Sequence, residues 1–321
     1  MTKKERLLAA LKGKPVDRPP VSFWRHFSGP QAHGALCVEK HIEFYRKTDL
    51  DFIKVMHDGL TAPCSLDVHS LSDLKAYRPL GRKNAYITAF TERASRIVDA
   101  IGDEVYVYAN VFSPLTLLRR IGDEKLRYYV YEDEKTVTYA LDVLAEELSL
   151  LCSLLVKECG CLGVFAAFQG NEVSRYTEEQ FYRIVYPYDK KMLEAANEAS
   201  PYNILHFCAW DEIPNRLGIW NTYPGCAVNW AVHIENLSLA RGRQMFDGRT
   251  VMGGFDNRRG KLLYSGSKRA VQEETQRLVR SYTEETGSNR GLILGADCSF
   301  LPDFRLNRFL WVSEALDGLL A

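Results

Sequence analysis

Eight short apolar runs alternate with longer segments of helical spacing, and this rhythm limits the folds open to the chain more than any other feature. The apolar runs occupy residues 20–24, 51–56, 105–112, 161–168, 203–210, 227–231, 250–255 and 291–296. Helical spacing is clearest over residues 137–158, 178–199, 268–282 and 305–319. Strands that alternate with helices pair in parallel through crossover helices, and eight such units predict a (β/α)8 TIM barrel.

The remaining segments add detail to this predicted barrel. Thr2 and Glu5 have capping-box spacing, which predicts an N-terminal helix ahead of the first strand. The long segments 57–104 and 113–136 predict insertions after strands 2 and 3. A doubly wound sheet is the alternative, but no Gly-x-Gly-x-x-Gly turn follows the first strand. Because no linker-like stretch divides the chain, we expect a single domain over residues 1–321.

Composition excludes several classes of partner. The 41 Lys and Arg residues balance 41 Asp and Glu residues, so no basic surface for nucleic acid is expected. No apolar run approaches the ~20 residues of a membrane span. The first residues also lack the apolar core of a signal peptide. We therefore expect a cytoplasmic protein without membrane or nucleic-acid partners, in which the eight cysteines stay reduced.

Three soft metal ligands stand at the ends of two predicted strands. His206 and Cys208 are two residues apart, so a strand places both on one face, while Leu205 and Phe207 share the opposite apolar face. Cys298 follows the last predicted strand, and barrel closure would bring it to the same mouth. One imidazole and two thiolates are the ligand set of a catalytic zinc that keeps its fourth position open. A substrate thiol there would become a thiolate, the nucleophilic form of sulfur, and would attack a methyl group.

A purely structural role for these residues is the alternative, because cysteine is among the most buried residue types and a strand histidine often serves packing. The same interpretation suits Cys37, Cys64, Cys152 and Cys226. The Cys159-Gly160-Cys161 segment lies where a helix ends and a strand begins. This is the face of a barrel opposite the active site, where residues serve stability, so packing is favoured over metal binding for these two cysteines.

Several segments resemble the uroporphyrinogen decarboxylase superfamily, nearly from end to end. The opening helix with its Asp17-Arg18-Pro19 turn is similar to the start of that superfamily. The segment around Pro114 and Thr116 resembles its "Pro-Phe-Thr" motif, and Pro302 after Cys298 resembles its C-terminal motif. Superfamily members are (β/α)8 barrels, so the resemblance implies the same fold.

The resemblance implies two chemistries, of which methyl transfer fits better. The methyltransferase branch carries a zinc-binding His-x-Cys motif and a later cysteine, and His206, Cys208 and Cys298 match both. It implies a methylcobamide corrinoid as methyl donor, carried on a partner protein, and a thiol such as coenzyme M as acceptor. Among the polar residues at the strand ends, Glu172 is an expected catalytic residue. Glu172, Asp211 or Asp297 would orient His206 or bind the zinc transiently. The resemblance also implies a homodimer.

Decarboxylation of a tetrapyrrole, as in porphyrin biosynthesis, is the runner-up. Asp58 matches the family's catalytic aspartate, and Arg25 keeps the first arginine of its Arg-Gln-Ala-Gly-Arg motif. Gly29 replaces the second arginine, which weakens recognition of a polyanionic substrate because guanidinium binds carboxylates through a two-pronged hydrogen bond. Cys298 stands where the decarboxylases have a histidine. A noncatalytic barrel that binds a corrinoid or tetrapyrrole is the third alternative.

Overall fold

The computed structural model describes residues 1–60 and 68–318, and its centre is a parallel seven-stranded sheet. Each strand pairs with the next along the chain, so the spatial order follows the sequence. The strands are β1 Phe52–Val55, β2 Tyr106–Phe112, β3 Gly163–Phe168, β4 Ile204–Phe207, β5 Ala227–Trp230, β6 Thr250–Phe255 and β7 Leu292–Ala296. Within the described residues the α/β class and the parallel pairing match the sequence prediction.

Helices connect the strands and cover the sheet. In the described part of the chain they are α1 Lys3–Leu11, α2 Gly34–Thr48, α3 Leu71–Lys75, α4 Ala85–Ile101, α5 Pro114–Leu118, α6 Asp123–Lys157, α7 Glu178–Ile184, α8 Tyr186–Ala199, α9 Val232–Glu235, α10 Leu239–Met245, α11 Leu262–Ser265, α12 Lys268–Thr286 and α13 Asn307–Asp317. Thr2 caps α1 in the capping box that the sequence predicts. Within these residues, no helix combines the length and the apolar character that a membrane crossing requires.

The predicted first strand, residues 20–24, forms one isolated bridge, at Val21, instead of a strand, so the count of eight strands is not confirmed. Val21 bridges Leu294 in parallel, the Ser22 amide donates to Leu294, and the Leu294 amide donates to the Pro20 carbonyl. On the other side, the Asp51 amide donates to the Val21 carbonyl. Pro20 has no N–H, which shortens the ladder this segment can form.

A buried ion cluster fixes this segment beside the start of β1. The Asp51 side chain is 1% exposed and accepts hydrogen bonds from Arg6 at 2.6 Å and Arg18 at 2.7 Å. It also accepts from the Val21 amide at 2.7 Å. Because a buried carboxylate needs its partners, the cluster ties α1 and the 20–24 segment to β1.

The predicted boundaries of the insertions and of several helices are not confirmed. Most of residues 113–136 belongs to α5 and to the first turns of α6, which continues through a kink at Asp133 (φ −152°, ψ 78°). The other predicted insertion, 57–104, leads into α3 and α4. Its residues 61–67, with Cys64, lie outside the described residues, as does residue 319 of the predicted last helix.

One predicted helix is two. Residues 178–199 divide into α7 and α8 at Val185, because Pro187 in the first turn of α8 cannot supply the amide that a continuous helix needs.

The two faces of β4 confirm the predicted alternation. The Phe207 ring stacks on Trp220 at 4.5 Å between centroids and on Phe246 at 5.6 Å, so this face packs outward against the helical layer. The strand ends at Phe207, however, and Trp210 lies in a 3-10 turn rather than on the strand. Asp211 in that turn has φ 59°, a left-handed conformation that ends the extended chain.

Candidate active site

His206, Cys208 and Cys298 converge at the carboxyl end of the sheet. His206 lies on β4, Cys208 follows the end of that strand, and Cys298 follows β7. Their nitrogen and sulfur ligand atoms all lie within 4.8 Å of one another. The His206 Nε2 to Cys298 Sγ distance is 3.7 Å. Nitrogen and sulfur ligands of one tetrahedral zinc lie about 3.6 Å apart, so the three residues have the spacing of a metal site.

Asn229 on β5 determines which nitrogen of His206 faces the cysteines. Its Nδ2 donates to the carbonyls of Met252 at 2.9 Å and Ala296 at 3.1 Å, which turns its Oδ1 toward the histidine. Oδ1 lies 2.5 Å from Nδ1 of His206. An amide oxygen only accepts, so Nδ1 carries the proton and Nε2 presents its lone pair toward Cys298. A metal-ligating histidine needs this tautomer.

The two thiols form a strongly interacting pair. A hydrogen bond from Cys208 lowers the pKa of Cys298 well below the usual thiol range against the opposing effect of burial, and His206 and Lys54 lower it further. The same hydrogen bond, together with burial, raises the pKa of Cys208 well above that range. One thiolate is therefore stabilised by the proton that remains on the other, as expected when two sites titrate together.

A cavity of about 380 Å³ opens over the triad. Its wall includes the basic side chains Lys54, Arg119 and Arg120 and the aromatic side chains Phe112 and Trp210. The cavity thus joins soft nucleophilic groups to positive charge and aromatic surface. Such a concave site with a few convergent polar groups is the usual form of a small-molecule pocket.

Two aromatic rings flank the histidine on its inner side. The rings of Trp24 and Phe165 lie 6.4 Å and 5.7 Å from the His206 ring. Lys54 Nζ lies 4.1 Å from the centroid of each of these rings. Burial lowers the pKa of Lys54 to about 7, although the charges of Cys298, Asp58 and Cys208 act in the opposite direction. The floor of the cavity is thus an apolar enclosure that holds one buried amine.

Asp58, a predicted catalytic residue, is engaged by its neighbours. Its carboxylate accepts from the Phe27 amide at 2.8 Å and contacts His26 Nδ1 at 2.9 Å. Burial alone would raise the pKa of Asp58, but the His26 hydrogen bond and charge outweigh burial and lower it. His26 lines the cavity and Asp58 does not. In this structure Asp58 positions His26.

The predicted residues Arg25 and Glu172 also lie outside the cavity lining. The Arg25 guanidinium donates to the Pro302 carbonyl at 2.7 Å, and burial lowers its pKa. Glu172 is fully buried and accepts from Arg119 at 2.7 and 3.2 Å and from the Gly170 amide at 3.1 Å. Arg119, which does line the cavity, is therefore held in place by Glu172.

The two other candidates for orienting His206 are likewise bound elsewhere. Asp297 Oδ2 contacts His233 Nδ1 at 2.8 Å, and Asp211 Oδ2 pairs with Arg175 at 2.8 Å. The structure gives the orienting role to Asn229, which the sequence reasoning missed.

Asn229 and Lys54 were both missed, and each had a sequence signal. Asn229 is the single polar residue of the apolar run 227–231, and Lys54 interrupts the apolar run 51–56. A polar residue inside a buried strand must have a partner, and that requirement identifies it as a candidate for the site.

Comparisons with known proteins agree with this architecture. Residues 53–318 match the protein family described as uroporphyrinogen decarboxylase (URO-D). By sequence, no curated protein matches the chain at a significant level.

Solved structures resemble all or most of the chain at low sequence identity. A methyltransferase from Methanosarcina mazei is 18% identical with a TM-score of 0.77 over 100% of both chains. A putative vitamin-B12-independent methionine synthase from Listeria monocytogenes is 10% identical with a TM-score of 0.50, over 88% of this chain and 85% of that one. The catalytic core of xylanase A is 11% identical with a TM-score of 0.50, over 94% and 98%. These likenesses show the fold alone, since one fold supports unrelated chemistries.

Proposed function

This chain belongs to the uroporphyrinogen decarboxylase family, and we propose that within it the protein is a zinc-dependent methyltransferase that moves a methyl group between a corrinoid and a thiol. The observation that carries the proposal is the convergence of His206, Cys208 and Cys298 with the histidine lone pair directed at the cysteines. A site of this composition suits a soft metal with one open position.

His206, Cys208 and Cys298 would hold the zinc. Zinc bound there supplies a Lewis acid at which a substrate thiol is stabilised as its thiolate. The remaining tasks fall to this chain's own side chains. Asn229 keeps the Nε2 lone pair available, and the rings of Trp24 and Phe165 keep water from the inner side of His206.

The size of the cavity supports a small acceptor. At about 380 Å³ it lies near the lower end of the roughly 300–1,000 Å³ range of ligand pockets. A small thiol would fit inside, whereas a corrinoid macrocycle would have to approach from the open mouth. We propose that the corrinoid arrives on a partner protein, and that the protein acts as a cytoplasmic homodimer.

We also infer that residues 20–24 close the sheet into a barrel. In support, this segment bonds to Leu294 of β7 on one side and to Asp51 beside β1 on the other. Closure would bring Trp24 under the site, where its ring lies 6.4 Å from that of His206.

Methyl transfer from methylcobalamin to coenzyme M or 2-mercaptoethanol tests the proposed function. The zinc-loaded protein should demethylate methylcobalamin, observed by its change in absorbance, and Cys298→Ser should lose at least ~100-fold in rate, a loss on the scale of removing a metal-site interaction. Cys226→Ser is the matched control, because this cysteine packs at the core and lies outside the triad. Equal rates for the protein and Cys298→Ser would contradict the proposal.

Decarboxylation remains the second candidate, because Asp58 follows β1 at the same end of the sheet as the triad. Its carboxylate is occupied by His26 and the Phe27 amide, which weakens that case. Incubation with uroporphyrinogen separates the two functions. Formation of coproporphyrinogen by protein stripped of metal would overturn the methyltransferase assignment.

A further inference from the structure

Four side chains form a hydrogen-bonded row along one wall of the cavity. Arg120 Nη2 lies 2.7 Å from His57 Nε2, and His57 Nδ1 lies 3.1 Å from one end of the Asn110 amide. The other end of that amide, Oδ1, lies 3.2 Å from Lys54 Nζ, so the structure places Nδ2 toward His57. Lys54 is 5% exposed, and His57 and Asn110 are also buried. The three inner members of the row therefore have little contact with bulk water, while Arg120 at its outer end is exposed.

The polarity of the row follows from its outermost member. A guanidinium only donates, so His57 Nε2 must accept from Arg120. Burial lowers the pKa of His57 to about 3, so its ring is neutral and carries its single proton on Nδ1. Nδ1–H requires an acceptor, and Asn110 must therefore turn its oxygen toward His57. The two ends of an amide have the same outline, so this orientation fits the same space.

The orientation of Asn110 then determines the state of Lys54. Once the two ends are exchanged, the Asn110 nitrogen takes the place of Oδ1, 3.2 Å from Lys54 Nζ, and presents N–H to it. An ammonium has no lone pair and cannot accept this hydrogen bond, whereas a neutral amine can. Through His57 and Asn110, Arg120 thus favours an unprotonated Lys54 at the floor of the cavity.

We propose that Lys54 is the base that removes the proton from the substrate thiol. This proposal rests on the proposed function, because it requires a thiol in the cavity. In the step, the S–H bond breaks and the sulfur keeps the electron pair as a thiolate. The proton forms a new N–H bond with the lone pair of Lys54, directly or through one water.

The surroundings of Lys54 also suit the ammonium that this step produces. The faces of Trp24 and Phe165 lie 4.1 Å from Nζ, and an aromatic face attracts a cation. Among the charged groups around it, Asp58 favours the ammonium, as do the thiolates of Cys208 and Cys298 while no metal takes up their charge, and burial favours the amine. From the neighbouring element Arg120 acts against the ammonium through the row. Because these influences oppose one another, Lys54 can exist as the amine or as the ammonium near neutral pH.

Proton counting during thiol binding tests the proposal. Titration calorimetry of the zinc-loaded protein with 2-mercaptoethanol, near pH 8 in buffers of different ionisation enthalpy, gives the protons released per thiol bound. The protein should release nearly none, because Lys54 retains the proton. Lys54→Met should release about one, since the proton of a metal-bound thiol then goes to the buffer.

Asn110→Asp is the decisive second variant, because it keeps the outline of the side chain. A carboxylate accepts from both His57 and Lys54, so Lys54 becomes an ammonium before thiol arrives, and about one proton should be released. Lys14→Met, which changes an exposed lysine, should release no more than the unaltered protein.

The outcomes separate the two proposals. Thiol binding with one proton released by the unaltered protein would overturn the role of Lys54 and leave the proposed function standing. Absence of thiol binding would overturn both. Retention of the proton in Asn110→Asp would also contradict the argument, because it would show that the row does not set the charge of Lys54.

Discussion

The Oδ1 atom of Asn229 lies 2.5 Å from Nδ1 of His206, and this contact leaves Nε2 free to face Cys298. The contact joins neighbouring strands, because His206 and Asn229 are paired residues in the register of β4 and β5. The sheet therefore fixes the histidine tautomer. A site whose ligand is oriented by the backbone register is in place before any metal binds.

Replacement of Asn229 should weaken metal binding. Asn229→Leu removes the acceptor for Nδ1–H, so the ring can turn or change tautomer. We expect a 10- to 100-fold loss of zinc affinity, about the effect of removing an outer partner of a ligating histidine. Competition with a chromophoric chelator measures it.

Asn203→Leu is the matched control for this experiment. Asn203 is as buried as Asn229 and its Nδ2 also donates to backbone carbonyls, those of Ala196 and Ser200. Both variants should lose about 1–3 kcal/mol of stability through unsatisfied backbone groups. Only Asn229→Leu should lose zinc affinity, and an equal loss in both would show that the effect is general destabilisation.

Glu172 should prove to be a structural residue. Glu172→Gln removes a buried carboxylate from Arg119, which retains Asp123 as a partner at 2.8 Å. We expect a loss of about 3 kcal/mol in the free energy of unfolding, as for other broken buried ion pairs, with unchanged zinc content. Urea unfolding and metal analysis check both parts.

An exposed ion pair provides the comparison. Glu179 pairs with Arg183 on the surface, so Glu179→Gln should change stability by less than about 0.5 kcal/mol. If Glu172→Gln instead lost zinc at full stability, the carboxylate would be a metal ligand.

Glu235 should make the stability of the protein depend on pH. Burial raises its pKa to about 7 from an ordinary value of 4.5, although Asn215 donates hydrogen bonds to the carboxylate and acts in the opposite direction. The folded protein thus holds a proton that the unfolded chain has already released. The stability linked to this proton is complete below pH 4.5 and is lost as the pH rises through 7.

Glu235→Gln removes this titration. Relative to the unaltered protein, the variant should gain about 2 kcal/mol of stability between pH 5 and pH 8, a figure reduced for the partial exposure of the group. Urea unfolding of metal-free protein at the two pH values measures the difference. A difference that stays constant with pH would contradict the assignment.

Much of the sheet could be predicted from sequence because burial and periodicity are local signals. The run 250–255 is β6, and the other confirmed strands lose only residues at their ends. The interruptions were harder to predict. At the kink, the Asp133 carboxylate accepts from the Thr136 amide at 3.1 Å, as a helix cap does, and the break at Val185 had a local signal in Pro187.

The ligand triad was accessible to sequence reasoning, but its partners were not. His206 lies on β4 and Cys208 directly follows its last residue, so their common face follows from the two-residue period of the extended chain. The contact of Asn229 with His206 depends on the register between two strands, and the row from Arg120 to Lys54 joins residues 54–57 to residues 110–120, more than 50 positions away. A single sequence does not determine such registers, although a polar residue within a buried strand is a candidate for the site.

Metal analysis tests the central claim most directly. Protein purified without chelators should contain about one zinc per chain, and Cys298→Ser should lose most of it, because the site would lose one of its three ligands. Cys226→Ser, outside the triad, should keep the full amount. Zinc far below one per chain, or a content unaffected by Cys298→Ser, would contradict the assignment of His206, Cys208 and Cys298 as a metal site.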